Sequence, residues 1–458
     1  MATTVNIVCK RTVVSTKAIE PGKYLPLSVL DRFMEKNHIR MVYYYQTSGE
    51  LELGKLTKKL RETLSEMLTH FPIVTGRLLR DDMGHWKIKC NDAGVRTLEA
   101  KAKGSVEEWL RNVDREKELE LVYWEDMLEK PYYWSTFYVQ LTEFEEGGLA
   151  IGLSCTHLLA DPICATRFMK AWADISLGNK ITSPPIFHPL PPQRSQNKKP
   201  NNNSNPYMGL ISHYKSIIEK PIFVKEAKYT TISMGFSHHM VQACMSMAQF
   251  IGSSSPSPSP SPSPTPFDAL AGLFWVTLSK IKGIKNGFVD MSICLDVRKI
   301  LGLDQGFFGN SMLYNKVHLE EHFNLDINEN KFPQATRAIR DVVAKIDNDE
   351  IMDLIEWLEN NDVNSSKMMN VHDLIITSLE DVDPCLAMFQ DMFKPIRFSC
   401  YIEPVFGEGH VLILPNPLDE GPLGRVVMVT LEEEDAIKLC EDDFILLFSP
   451  TILMKCVK

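Results

Sequence analysis

Between Gly147 and Trp172 the chain reads GGLAIGLSCTHLLADPICATRFMKAW, and this stretch limits the possible folds more than any other. Leu149, Ala150, Ile151, Gly152 and Leu153 form a nearly continuous apolar run, the pattern of a strand buried on both faces. Asp161 and Pro162 then supply a helix start: a carboxylate for the orphan N–H groups at the N-cap, and a ring whose fixed φ suits the first helical position. Cys164, Phe168, Ala171, Trp172 and Ile175 follow at helical spacing. A buried strand feeding a helix through a short loop belongs to layered α/β folds. His157 lies in that loop, where rigid elements can present a polar group to a ligand.

The neighbouring patterns agree with such layering. Residues 135–144 alternate Phe137, Val139 and Leu141, and with LAIGLSC beyond the turn EEGG they predict a hairpin. Leu53, Leu56, Leu60, Leu64, Met67 and Leu68 predict an amphipathic helix over 53–68. WKIKC and GVRTLEA predict short strands around the turn NDAG, and Ser105 with Glu108 predicts a capped helix at SVEEWLRNV.

A chain of 458 residues exceeds one ordinary core and implies two domains of about 200 residues each. Residues 183–206 are rich in Pro, Asn and Ser and cannot bury much apolar surface, so they read as a linker between domains at 1–182 and 207–458. A second tract, SSSPSPSPSPSPTP at 253–266, lies between two helical patterns and reads as a loop insertion within the second domain.

Composition excludes some functions. The net charge is -10, and no dense Lys/Arg stripe offers a footprint for nucleic acid. The N-terminal MATTVNIVCKRTVV lacks the apolar core of a secretory signal, and no run of about 18 apolar residues predicts a membrane span. The ten cysteines are scattered without a CxxC pair, which reads as reduced thiols of a cytoplasmic protein rather than disulfides or zinc ligands.

Few residues remain as candidates for chemistry. His157 is either a functional histidine or a hydrogen-bonded one at a strand end, and Asp161 reads as an N-cap in both cases. His322 and Asp326 repeat the His-x-x-x-Asp spacing within LEEHFNLDINEN, a solvated stretch. His238 and His239 stand at a helix start without a third ligand at metal spacing, and read as structural or exposed. No nucleophile elbow, P-loop or dinucleotide glycine fingerprint is present.

Taken as a set, the motifs resemble the BAHD family of plant acyl-CoA-dependent acyltransferases. THLLADP at 156–162 resembles its HxxxD motif, LSVLD at 27–31 its LSxLD, and FPIVTGRL at 71–78 its YPxxAGRL. FDALAGLFW at 267–275, LDVRKIL at 295–301 and FFGN at 307–310 resemble its FDALxAxxW, DxRxR and YFGN stretches. ITSL at 376–379 stands where the family has a TSW-like stretch, and VTLEEEDAIKLCED resembles its last strand and helix. Two positions depart: Pro162 replaces the Gly after HxxxD, and the DFGWG motif is reduced to Val405-Phe406-Gly407-Glu408-Gly409. A reduced DFGWG, with IRMVYYY and GEGHVLILP, resembles the branch that holds the Eceriferum and Glossy wax proteins and the brassinosteroid-related acyltransferases.

The resemblance implies an α/β fold of two chloramphenicol-acetyltransferase-like domains, with mixed sheets, flanking helices and a channel between them. It implies His157 as general base, Asp161 as the structural member of HxxxD, Thr377 as oxyanion donor, and Arg298, Gly407 and Gly409 as structural. With Val405 in place of the motif's Asp, Arg298 is expected to pair with Glu403 or Glu408, or to lie exposed. No bound cofactor or metal is expected. Acyl-CoA serves as co-substrate, and the acceptor is a hydroxyl of a hydrophobic metabolite, a brassinosteroid on the nearest likeness. The other reading from the same branch is a non-catalytic partner of the fatty-acid condensing enzyme at the cytosolic face of the endoplasmic reticulum, in wax synthesis. The protein is expected to be a monomer.

Overall fold

The computed structural model describes residues 5–17, 22–46, 53–188, 190, 208–219, 227–249, 263–284, 287–319, 331–361, 373–389, 394–405, 407–416 and 421–455. The strands of the first half are β1 (Val5–Val13), β2 (Tyr24–Pro26), β3 (His38–Tyr45), β4 (Arg77–Arg80), β5 (Trp86–Lys89), β6 (Val95–Ala102), β7 (Phe137–Phe144) and β8 (Leu149–Thr156). Those of the second half are β9 (Tyr229–Phe236), β10 (Met291–Asp296), β11 (Met312–Val317), β12 (Leu374–Ser378), β13 (Pro395–Glu403), β14 (Gly409–Pro415), β15 (Arg425–Glu432) and β16 (Thr451–Met454). The helices of the first half are α1 (Val29–Phe33), α2 (Leu53–Leu68), α3 (Val106–Asn112), α4 (Arg115–Leu119) and α5 (Pro162–Ser176). The second half adds α6 (Met208–Glu219), α7 (His238–Gln249), α8 (Pro266–Ile281), α9 (Phe332–Lys345), α10 (Asn348–Asn360), α11 (Glu433–Cys440) and α12 (Asp443–Leu446).

Two large mixed sheets organise these elements. The first runs β1-β6-β7-β8-β3-β13 and the second β11-β10-β12-β14-β15-β9-β16, while β2-β5-β4 form a small third sheet. The hairpin of β7 and β8 is as the alternation predicts, with Phe137 opposite Cys155 and Glu143 opposite Leu149. All eight residues of β8 are buried, because it lies inside the first sheet between β7 and β3. Gly152 is required there: a Cβ would stand 2.2 Å from the Leu121 carbonyl oxygen. The strands flanking NDAG do not pair with each other; β5 joins the small sheet and β6 the first large one.

Helix α2 turns Leu56, Leu60, Leu64, Met67 and Leu68 inward and packs on α5. One continuous apolar core joins residues of both halves, including Met41, Leu153, Phe168, Leu210, Phe389 and Met428. A separate core lies on the second sheet under α7, α8 and α9. Strand β13 comes from the second half yet pairs with β3 and completes the first sheet.

The Pro-Ser tract falls mostly outside the described residues, as does the linker beyond 190 and the His322–Asp326 pair. The end of the tract is not loop. Pro266 is the first residue of α8, and Thr265 closes a capping box with Asp268, so the insertion ends earlier than its composition implies. No helix among the described residues is long and apolar enough to cross a membrane.

Candidate active site

The loop between β8 and α5 is held by backbone at both ends. His157 donates its N–H to the Asn37 carbonyl at 2.9 Å, and its own carbonyl accepts from Asn310 Nδ2 at 2.7 Å. Its side chain is buried. Burial lowers the imidazole pKa from its ordinary value of 6.5, against the pull of the Asp161 charge and of nearby hydrogen-bonding groups. Transfer into a water-poor place penalises the charged form, so the ring is neutral and basic at neutral pH.

Asp161 is the N-cap that its sequence position predicts, its Oδ1 accepting from Cys164 N at 2.9 Å. Its other oxygen has a second task. Oδ2 accepts from Arg298 Nη2 at 2.7 Å and from Ser311 N at 3.2 Å. Arg298 in turn donates to Asp296 Oδ1 at 2.9 Å and to the Gly309 carbonyl at 2.7 Å. Burial alone would raise the Asp161 pKa, but the Arg298 charge overrides it and holds the carboxyl below its usual range. The pair is fully enclosed, with Asp161 at 0% and Arg298 at 3% exposure. Enclosed charges of this kind are tolerated when they are paired and supported by further hydrogen bonds.

This geometry corrects the expected partner of Arg298. Glu408, itself exposed, bonds the largely enclosed Lys282 at 2.8 Å, and Glu403 is engaged by His38, Arg40 and Arg115. The loss of an acid at Val405 therefore leaves no uncompensated charge, because the acids facing Arg298 are Asp161 and Asp296. Sequence separation hid this pairing: nothing local marks residues 161 and 298 as neighbours. Gly407 and Gly409 keep backbone roles, with φ of +66° and +124° in the turn that opens β14.

Asn310 completes the junction. Its backbone N and its Nδ2 both donate to Asp31 Oδ1, at 2.9 and 2.8 Å. Asp31 also closes a capping box with Ser28. One asparagine thus ties residues 28–31, the His157 loop and the 307–310 loop together, so motifs far apart in the chain converge on one place.

Thr377 is buried near the end of β12, and its Oγ1 lies 2.7 Å from His410 Nε2. Burial, with a smaller contribution from the charge of His157, pushes the His410 pKa down to about 3. Thr377 and His410 thus share the water-poor region of His157. His410 was not singled out in the sequence, where the only mark is its place directly after Gly409. His238 and His239 take no part; His238 Nδ1 accepts from Leu423 N at 3.3 Å, and His239 is exposed. Among the described residues no group of three or more His, Cys, Asp or Glu side chains could hold a metal ion.

Known proteins are similar to this chain over most of its length. A model described as the Transferase family matches residues 3–444. The Arabidopsis thaliana protein ECERIFERUM 26-like is 24% identical over 93% of this chain and 92% of its own length. Brassinosteroid-related acyltransferase 1 of the same plant is 25% identical over 74% of this chain and 78% of its own length. The crystal structure of vinorine synthase superposes with a TM-score of 0.68 at 18% identity, covering 94% of this chain and 95% of that one. Family match, fold and convergent motifs together place this chain in the BAHD family of acyltransferases, which use acyl-CoA as co-substrate.

Proposed function

We propose that this chain transfers an acyl group from acyl-CoA to a hydroxyl of a hydrophobic plant metabolite, and that the acceptor is a hydroxylated steroid of the brassinosteroid class. The observation that carries the catalytic part is His157, neutral, buried and fixed by backbone hydrogen bonds on both sides of the residue. The steroid rests on similarity to brassinosteroid-related acyltransferase 1. His157 takes the proton of the acceptor hydroxyl as its oxygen attacks the thioester carbonyl. The tetrahedral oxyanion is stabilised by the Thr377 hydroxyl, and its collapse breaks the C–S bond. The CoA thiolate leaves and the imidazolium returns its proton to the sulfur, so no covalent enzyme intermediate is required. Asp161 acts indirectly, capping α5 and anchoring Arg298. The working unit in this reading is two domains, 1–182 with β13 added to its sheet and the rest of 207–458, joined by 183–206.

The test is a purified-protein assay with a series of acyl-CoAs and hydroxylated steroids, read by mass spectrometry. The wild type should form an ester, and His157→Ala should fold normally yet lose on the order of 100- to 10,000-fold. A second reading draws on the likeness to ECERIFERUM 26-like over almost the whole chain: a non-catalytic partner of a fatty-acid condensing enzyme. Under it, a plant lacking the gene is rescued fully by His157→Ala, and the protein co-purifies with that enzyme. Failure of a folded, normally abundant His157→Ala form to rescue rules the second reading out.

A further inference from the structure

We infer that His410 is a positioning residue for Thr377: its Nε2–H donates to Thr377 Oγ1 and thereby turns the hydroxyl proton toward the reacting carbonyl. The inference rests on the reading of Thr377 as oxyanion donor and extends it to a residue outside the family motifs.

The geometry begins with strand register. Strands β12 and β14 run parallel, with Ile375 opposite His410 and Thr377 opposite Leu412. The imidazole reaches along the strand to Thr377, and the 2.7 Å contact is enclosed, with Thr377 at 0% and His410 at 6% exposure. On its other side Thr377 pairs with Cys294 of β10, whose thiol lies against the hydroxyl. Beyond these strand ends, residues 298–311 carry Arg298 to Asp161 and Asn310 to the His157 carbonyl. Thr377 therefore sits where the second sheet meets the His157 loop.

A hydroxyl has one proton and two lone pairs. If His410 accepts that proton, Thr377 has none left for an oxyanion. If His410 donates, the proton is free, and the thiol of Cys294 competes for it only weakly because sulfur is a poor acceptor. A third arrangement, with His410 as base and Thr377 as nucleophile, needs an imidazolium at 410. Burial and the neighbouring His157 disfavour that cation, which leaves the pair as a fixed dipole. A preset donor of this kind lowers the barrier because it needs no reorientation when charge develops.

The test compares His410→Leu, His410→Gln, Thr377→Val and the double variant Thr377→Val/His410→Leu, each checked for folding by circular dichroism. The assay uses the acyl-CoA and steroid pair turned over by the wild type. Thr377→Val should lower kcat about 100-fold or more with KM little changed, the usual share of one oxyanion donor. His410→Leu should lower kcat by at least 10-fold with KM again little changed, and the double variant should be no slower than Thr377→Val alone. His410→Gln, whose amide can donate, should recover most of the loss. Wild-type kcat in His410→Leu, or multiplied losses in the double variant, would overturn the inference. If His410→Leu does not fold, a His410→Gln variant with the full kcat loss of Thr377→Val overturns it, and near-normal kcat supports it. Full activity of Thr377→Val with an inactive His157→Ala sinks this inference and leaves the acyl-transfer reading intact. No ester from the wild type sinks both.

Discussion

Asp161 and Arg298 stand 137 positions apart in the chain and meet at 2.7 Å, both enclosed, across the seam between the His157 loop and the 297–311 segment. One carboxylate thus caps a helix with one oxygen and holds a buried guanidinium with the other. Removing Arg298 leaves Asp161 a buried charge without its cation, and removing Asp161 leaves Arg298 with Asp296 as its remaining acid. Arg298→Met and Asp161→Asn should therefore each destabilise the fold by roughly 3–5 kcal/mol, more than the loss of an N-cap alone. A double-mutant cycle of this pair should show strong coupling, whereas cycles of Arg298 with Glu403 or Glu408 should lie within about 0.5 kcal/mol of zero.

The acid side of the activity profile follows from His157. Burial lowers its pKa from 6.5, and only the neutral ring can take a proton. The rate constant kcat/KM should fall toward acid with a midpoint below pH 6.5. A midpoint above 6.5 would show that the enclosed imidazole is not the titrating base.

Glu403 predicts an acid dependence of stability. Burial would raise its pKa, but a hydrogen bond from His38 and the charges of Arg40 and Arg115 hold it at about 2, below the ordinary 4.5. A depressed carboxylate contributes its stability in full above 4.5 and loses it as pH falls toward 2. Denaturant titrations should show wild-type stability falling across that window, and Glu403→Gln should flatten the fall while being less stable at pH 7.

Gly152 allows β8 to pass beneath Leu121 and Val122. A Cβ would meet the Leu121 carbonyl oxygen at 2.2 Å and Val122 Cα at 2.9 Å, both backbone atoms that cannot swing aside. Gly152→Ala should cost about 1–3 kcal/mol or more by overpacking, seen as a lower denaturation midpoint.

Thr265 separates the Pro-Ser tract from α8. Its hydroxyl accepts from Asp268 N, and Asp268 accepts from its backbone N–H at 2.8 Å. Thr265→Ala should cost about 1 kcal/mol by chemical denaturation. Replacing 253–262 with a Gly-Ser loop of equal length should cost less than that, since those residues offer no apolar side chain but proline.

What the sequence determined by itself was local. Periodicity set the hairpin of β7 and β8, the amphipathic face of α2 and the Asp161 start of α5, because each depends on side chains a few positions apart. The motif set also identified the family. Three relationships needed the tertiary structure. Strand β13 joins the first sheet although it lies late in the chain, since β3 offers it an edge and a shared apolar face. Arg298 takes Asp161 rather than Glu403 or Glu408, because the acids nearest in sequence to the altered motif are engaged by Lys282, His38, Arg40 and Arg115. His410 reaches Thr377 only through the parallel register of β12 and β14, which no spacing along the chain encodes. Partner choice among buried charges and hydrogen-bonding groups is a property of the assembled interior, where most polar groups are matched and the matching partner is whichever one the packing brings within reach.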